Sequence, residues 1–269
     1  MNYRVFLLLF LLASFTFAIE IKAPFNQEIE NGGTIDIGNI GPGQTVSIEI
    51  NPKVSTNGIY GNGGLYDQAL VSDLPFDWTA QDSKLYQTPL QVTITAAPDA
   101  PEGGYSAKVT VVDEKNGEQL GNVTFTVKVK ITYDVMDFEV YPKEVLIGPD
   151  QPARFALTIT NKGSTSDVFE VSAGGSKRWA FTKPVFVPAK SAKTIFYEIV
   201  SNEEDVFTPS ISVTSRASAL ISDRQNVSIK VRSDLLGDFS ATNNGVLLFP
   251  IFESGTYSLA GLIANIFGR

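Results

Sequence analysis

Residues 121–130 read Gly-Asn-Val-Thr-Phe-Thr-Val-Lys-Val-Lys, and no other stretch limits the fold as strongly. Val123, Phe125, Val127 and Val129 alternate with Asn122, Thr124, Thr126, Lys128 and Lys130. A period of two sends one set to each face of a strand, so the pattern predicts one buried and one solvated face. A second such stretch, Asn226 to Arg232, turns Val227, Ile229 and Val231 inward, and Asn226 follows Asn122 by 104 residues. That interval is the length of one small β-sandwich.

Two further markers recur in the same order. Gly41-Pro42-Gly43-Gln44 precedes the alternating Val46 to Ile50, and Gly148-Pro149-Asp150-Gln151 precedes Phe155 to Ile159, an offset of 107. The two tryptophans, Trp78 and Trp179, lie 101 residues apart. Together these repeats predict two tandem copies of one antiparallel sandwich. Thr34 to Ile37, Leu90 to Ile94 and Ser106 to Val111 also alternate and read as strands. Asn116-Gly117 predicts a tight hairpin turn, and four glycines between Asn57 and Gly64 predict a long loop. No stretch before residue 255 shows helical periodicity, so the expectation is all-β. The seam, Thr132 to Asp137, has neither the length nor the Gly/Ser content of a flexible tether, which predicts restricted motion between the copies.

The ends differ from the middle. Asn2, Tyr3 and Arg4 make a short positive start, Val5 to Leu12 is unbroken apolar sequence, and Thr16 and Ala18 supply small residues. This is the layout of an export signal cleaved after Ala18. The apolar run is shorter than the ~20 residues that a membrane span needs. The expected organisation is therefore a signal peptide at 1–18, sandwiches at 19–133 and 134–233, and a hydrophobic tail at 234–269. In the tail, Leu247, Leu248 and Phe249 belong to one apolar run. Leu259, Leu262, Ile263, Ile266 and Phe267 then fall on one stripe of a short helix. Pro250 and Glu253 oppose a full span. The tail is expected to lie in a membrane interface or to pack on a protein partner, including as a donated strand.

Composition removes several chemistries. The 269 residues include no histidine and no cysteine, which excludes histidine-based triads, cysteine nucleophiles and the usual zinc ligands. The net charge of −8, falling to −9 once Arg4 is removed, argues against a nucleic-acid partner. Carboxylate pairs at Asp99 and Glu102, Asp113 and Glu114, and Glu203 to Asp205 fall in predicted turns, where solvated acids are common. Such oxygens suit calcium, yet no loop has EF-hand spacing. No catalytic residue, metal or cofactor is expected. Asn122-Val123-Thr124 and Asn226-Val227-Ser228 are N-glycosylation sequons. Tyr60, Tyr66 and Trp78, near the glycine-rich loop, are candidates for stacking on a sugar; recurrence of the tryptophan favours core packing instead.

Leu74-Pro75-Phe76-Asp77-Trp78, Pro89 and Ala100 to Tyr105 resemble the NEW-type Ig-like domain associated with NPCBM modules. Domains of that family recur in tandem on archaeal and bacterial surface proteins, and their fold is similar to that of adhesion and spacer modules. The resemblance implies two tandem Ig-like antiparallel β-sandwiches, a tyrosine corner at Tyr105 and no catalytic residues to carry over. In the second copy it holds for Trp179, Pro188 and Thr194 to Ile199, but the Gly-x-Tyr element is missing around Thr208-Pro209. The tail resembles the C-terminal ends of archaeal membrane-associated proteins with Ig-like repeats. The expected function is that of an exported, non-enzymatic envelope protein held by its tail to a membrane surface or another envelope protein. A carbohydrate-binding accessory module and a self-assembling filament subunit are the alternatives.

Overall fold

The computed structural model describes residues 18–115, 117–149, 151–175, 181–201 and 204–232. The chain is all-β, with no helix among the described residues. Its buried apolar side chains form two separate cores, one from Ile19 to Ile131 and one from Val135 to Val231.

The first core lies between two sheets. Their strands are β1 (Ala18–Ala23), β2 (Gln27–Glu30), β3 (Thr34–Ile40), β4 (Thr45–Ile50), β5 (Lys53–Val54), β6 (Gly64–Leu65), β7 (Gln68–Ser72), β8 (Thr79–Gln81), β9 (Leu90–Thr95), β10 (Gly103–Val112) and β11 (Val123–Ile131). One sheet runs β2-β1-β4-β9-β8 and the other β3-β11-β10-β7, while β5 and β6 form a small separate hairpin. The alternation read from the sequence is what fills the space between them. Val123, Phe125, Val127 and Val129 are buried in one core with Ile48 and Val92 of the other sheet, and Lys128 and Lys130 face water. β3 runs parallel to β11, so the first and last long strands clasp one another.

The connection from β10 to β11 corrects the expected tight turn at Asn116-Gly117. It spans residues 113–122, of which Asn116 lies outside the described residues. Carboxylates hold this wider loop together. Asp67 accepts the main-chain N–H groups of Glu114 and Lys115, and Asp113 accepts that of Leu120. These charge-assisted bonds satisfy donors that a two-residue hairpin would have paired across the ladder.

The second core is built from β12 (Met136–Tyr141), β13 (Glu144–Ile147), β14 (Pro152–Asn161), β15 (Asp167–Gly174), β16 (Lys183–Val187), β17 (Ser191–Val200), β18 (Val206–Phe207), β19 (Ser210–Ser215), β20 (Ser222–Asn226) and β21 (Ser228–Val231). The sheets are β12-β14-β17, β16-β15-β19-β20 and β13-β21-β18. β13 pairs parallel with β21, as β3 does with β11. Among the differences between the units, two concern matched strands. β8 pairs with β9, whereas its counterpart β16 pairs with β15, so this short strand changes sheet. Pro209 has no N–H to give the ladder, and the penultimate strand breaks there into β18 and β19. The closing strand breaks opposite it, where Val227 N–H donates to the Pro209 carbonyl. This is the place where the Gly-x-Tyr element is missing. The apolar tail and Trp179 lie outside the described residues.

Candidate functional site at the joint between the units

The Gly41-Pro42-Gly43-Gln44 turn links β3 to β4 and presses its glycines into the second unit. A Cβ on Gly43 would stand 2.0 Å from the carbonyl oxygen of Ala217, and one on Gly41 would stand 2.3 Å from Cδ1 of Ile221. Gly43 also has φ of +69°, so only glycine meets both demands there. The approach brings Gln44, 2% exposed, into a buried polar network. Its Oε1 accepts the Gly41 N–H at 2.8 Å and the Thr165 hydroxyl at 2.8 Å. Its Nε2 donates to Asp167 Oδ2 at 2.8 Å, and the same oxygen accepts from Ser215 Oγ at 2.7 Å. The Val168 N–H at 2.6 Å engages the other Asp167 oxygen. A buried network with its members this well paired is rigid, because each bond is strong in low dielectric and costly to leave unmade.

Further contacts fix the linker on either side. Glu102 Oε1 accepts the Tyr133 N–H and the Thr132 hydroxyl, each at 2.9 Å, and these two bonds hold its carboxyl below the usual carboxylate range. Lys162 bonds Asp134 and lies 2.8 Å from Asp137, which raises its ammonium above the ordinary lysine value. Its own N–H donates to the Val135 carbonyl at 2.8 Å. The Ser164 N–H reaches Asn39 O at 2.7 Å, and Ser218 donates to Pro98 O. The seam is thus bonded on several sides.

The opposite end of the first unit carries a cleft of about 930 Å³ lined by Glu20, Glu28, Asn51, Lys53, Asn57 and Tyr66. Asn51 Nδ2 donates to Glu20 there at 2.7 Å. Tyr66 is 2% exposed, and its burial, assisted by the charge of Asp113, pushes the phenol up to about 12. Trp78 is buried at 8% exposure with its ring centroid 5.2 Å from that of Tyr105, whose hydroxyl donates to Pro101 O at 3.0 Å. Only Tyr60, 82% exposed, presents a free ring, so Tyr60, Tyr66 and Trp78 form no stacking platform. The physical reason is that the rings of Tyr66 and Trp78 fill the core.

The sequon asparagines Asn122 and Asn226 are exposed. The attachment residues Leu247, Leu248, Phe249, Leu259, Leu262, Ile263, Ile266 and Phe267 lie outside the described residues. Among the described residues there is no group of three acidic side chains placed to hold a metal ion, and no helix long and apolar enough to cross a membrane. Sequence reasoning used the Gly-Pro-x-Gln turn only as a repeat marker and missed its role in the joint. The signal lay in glycine pairs flanking proline, which permit close backbone approach. It also missed an exposed aromatic row. Tyr141 and Phe196 stand on either side of Ala156 across β12, β14 and β17, with the Arg154 guanidinium 3.9 Å above the Phe196 ring.

No family model matches the chain, and no curated protein matches it in sequence. Among solved structures, a chimeric titin Z1Z2 is similar at 10% identity and a TM-score of 0.35, covering 81% of this chain and 99% of that one. The CARDB domain of the PF1109 protein from Pyrococcus furiosus, solved in complex with di-metal ions, is similar at 13% identity and a TM-score of 0.29. It covers 38% of this chain and 92% of that one.

Proposed function

We propose that this is an exported, non-catalytic envelope protein in which two tandem Ig-like sandwiches of the NEW type form a stiff spacer. Its C-terminal tail fastens the spacer to a membrane surface or to another envelope protein. The observation that carries the spacer reading is the joint. Gln44 and Asp167 belong to different units, yet they are bonded to one another in a buried network. A pair of units welded in this way transmits position and force, which a loosely tethered pair does not. Two of the carboxylates that sequence reasoning weighed for chemistry, Asp113 and Glu102, accept main-chain N–H groups that organise a loop and the linker. Burial of Trp78 supports the spacer over the carbohydrate-binding alternative, which needs that ring on the surface. The apolar tail supplies attachment through its area removed from water.

Flotation with liposomes tests the attachment. The chain from Ile19 to Arg269 is expected to float, and the chain ending at Asp238 is expected to stay at the bottom of the gradient. If neither floats, attachment is to protein, and if both float, the tail is not the anchor. Secretion of the full chain with its first 18 residues removed, measured in the culture or envelope fraction, tests export directly.

A further inference from the structure

The turn that makes the joint exists twice, and the glutamine amide nitrogen of the second copy has no partner among the described residues. Gly148-Pro149-Asp150-Gln151 repeats Gly41-Pro42-Gly43-Gln44 at the equivalent place, between the parallel clasp strand and the strand that follows it. The internal bonding is the same: Gly148 N–H donates to Gln151 Oε1 at 3.2 Å, and Gln151 N–H returns to Gly148 O at 3.2 Å. The strand ends match too, since Arg232 N–H bonds Ile147 O as Thr132 N–H bonds Ile40 O. What differs is the amide nitrogen. Gln44 Nε2 bonds Asp167 of the next unit, whereas Gln151 Nε2 is covered and has no partner.

The complementary acceptor stands at the other end of the molecule. Asp167 opens β15, and Asp67, 100 residues earlier, immediately precedes its counterpart β7. Asp67 is 1% exposed; its Oδ2 accepts from Glu114 and Lys115, and its Oδ1 is buried without a partner. An unpaired donor on a turn and an unpaired carboxylate oxygen at the start of a strand are the two halves of the bond that closes the internal joint. Leaving either buried and unbonded is costly, because the group has given up water and gained no partner.

We infer that a second copy of this chain docks head to tail, its Gly148 and Gln151 seating on the Asp67 end of the first unit and repeating the Gln44–Asp167 joint between molecules. The contact joins two different surfaces, so each pair keeps one of each free and further copies add head to tail. One element competes for the place. The glycine-rich loop crosses the Asp67 end, where Asn57 Nδ2 donates to Leu120 O at 3.0 Å and Ile59 N–H to Glu118 O at 3.1 Å. It thereby covers the 113–122 turn as Gly41 and Gly43 cover the corresponding turn of the second unit at Ala217 and Ile221. Docking replaces those two bonds, so the loop acts as a cap that sets how readily copies join.

The absence of cysteine gives a clean test. Full-length chains carrying Gln151→Cys are mixed with full-length chains carrying Glu114→Cys, an exposed position on the turn above Asp67, and treated with a short bismaleimide. The expected product joins one chain of each kind, while neither variant links to itself. A chain carrying both cysteines gives a ladder. In sedimentation equilibrium, Gln151→Ala weakens self-association at least tenfold with unchanged circular dichroism, and replacing residues 57–63 by a short linker strengthens it. Links only between like cysteines, or no link at all with or without the loop, would each overturn the inference. The outcome does not depend on the tail, so failed flotation leaves it standing and its failure leaves the spacer reading standing.

Discussion

At the scale of single residues, the molecule separates groups that look alike in sequence. Tyr60 and Tyr66 are six positions apart, yet one ring is in water and the other is in the core. Because the folded value for Tyr66 is raised, the stability linked to it is present below the ordinary tyrosine range and is lost as pH climbs through about 12. Difference absorbance of the wild type against Tyr66→Phe is expected to lose a phenolate component near 12; a component lost near 10 would place the ring in solvent. Tyr105 makes a local bond to Pro101 O and packs on Trp78. Tyr105→Phe keeps the ring and removes the hydroxyl, so thermal unfolding should show a loss of about 0.5–1.5 kcal/mol. In a Trp179→Phe background, which isolates the signal of Trp78, a polar quencher should leave the fluorescence nearly intact. Strong quenching would revive the sugar-stacking reading.

At the scale of elements, the turn at Gly41–Gln44 carries the most consequence for its length. Gly43→Ala introduces a Cβ against the Ala217 carbonyl and strains a positive φ, so a loss of more than about 1 kcal/mol is expected, together with a wider spread of interunit distances in small-angle scattering. The linker responds to pH through two groups. Glu102 has a lowered folded value, so its contribution is present above the ordinary glutamate range and disappears as pH falls through that lower value. Lys162 has a raised value, so its contribution holds below the ordinary lysine range and disappears as pH rises through the folded one. Scattering recorded across acid pH should show the interunit distance broadening in the wild type, with no such transition in Glu102→Gln. Much of this scale is legible in the sequence, because strict alternation leaves a strand such as β11 one way to face. The parts that were not legible depend on non-local partners. No local pattern announces that Asp67 will gather the N–H groups of Glu114 and Lys115 and widen a turn, or that β16 will choose β15 over β17 as its neighbour. Pro209 was visible as a missing motif, but its effect on two strands at once appears only when they are seen paired.

At the scale of the whole molecule, the recurrence of one sandwich at an interval near a hundred residues is visible in the sequence, while the joint is not. A buried amide-to-carboxylate bond joins residues 123 positions apart and leaves no periodic trace. Gln44→Ala is expected to destabilise the joint by about 1–3 kcal/mol, since Asp167 loses a donor in a buried place. Gln44→Glu should do worse by setting a second carboxylate against the first, and a double-mutant cycle with Asp167→Asn should recover part of that loss. If the tail holds the protein as proposed, the spacer is also a device under tension, and its strand order decides where it yields. Pulling between the start of β1 and the end of β21 loads each parallel clasp along its length, so the bonds of a clasp must fail together. The first clasp, β3 on β11, has six residue pairs, three on each side of a register shift before Gly38; the second, β13 on β21, has four and lies beside the break at Pro209. Under a rising force the unit next to the tail should therefore open first, at the lower of two forces. In the proposed arrangement that unit is a sacrificial link between the anchor and whatever the first unit holds.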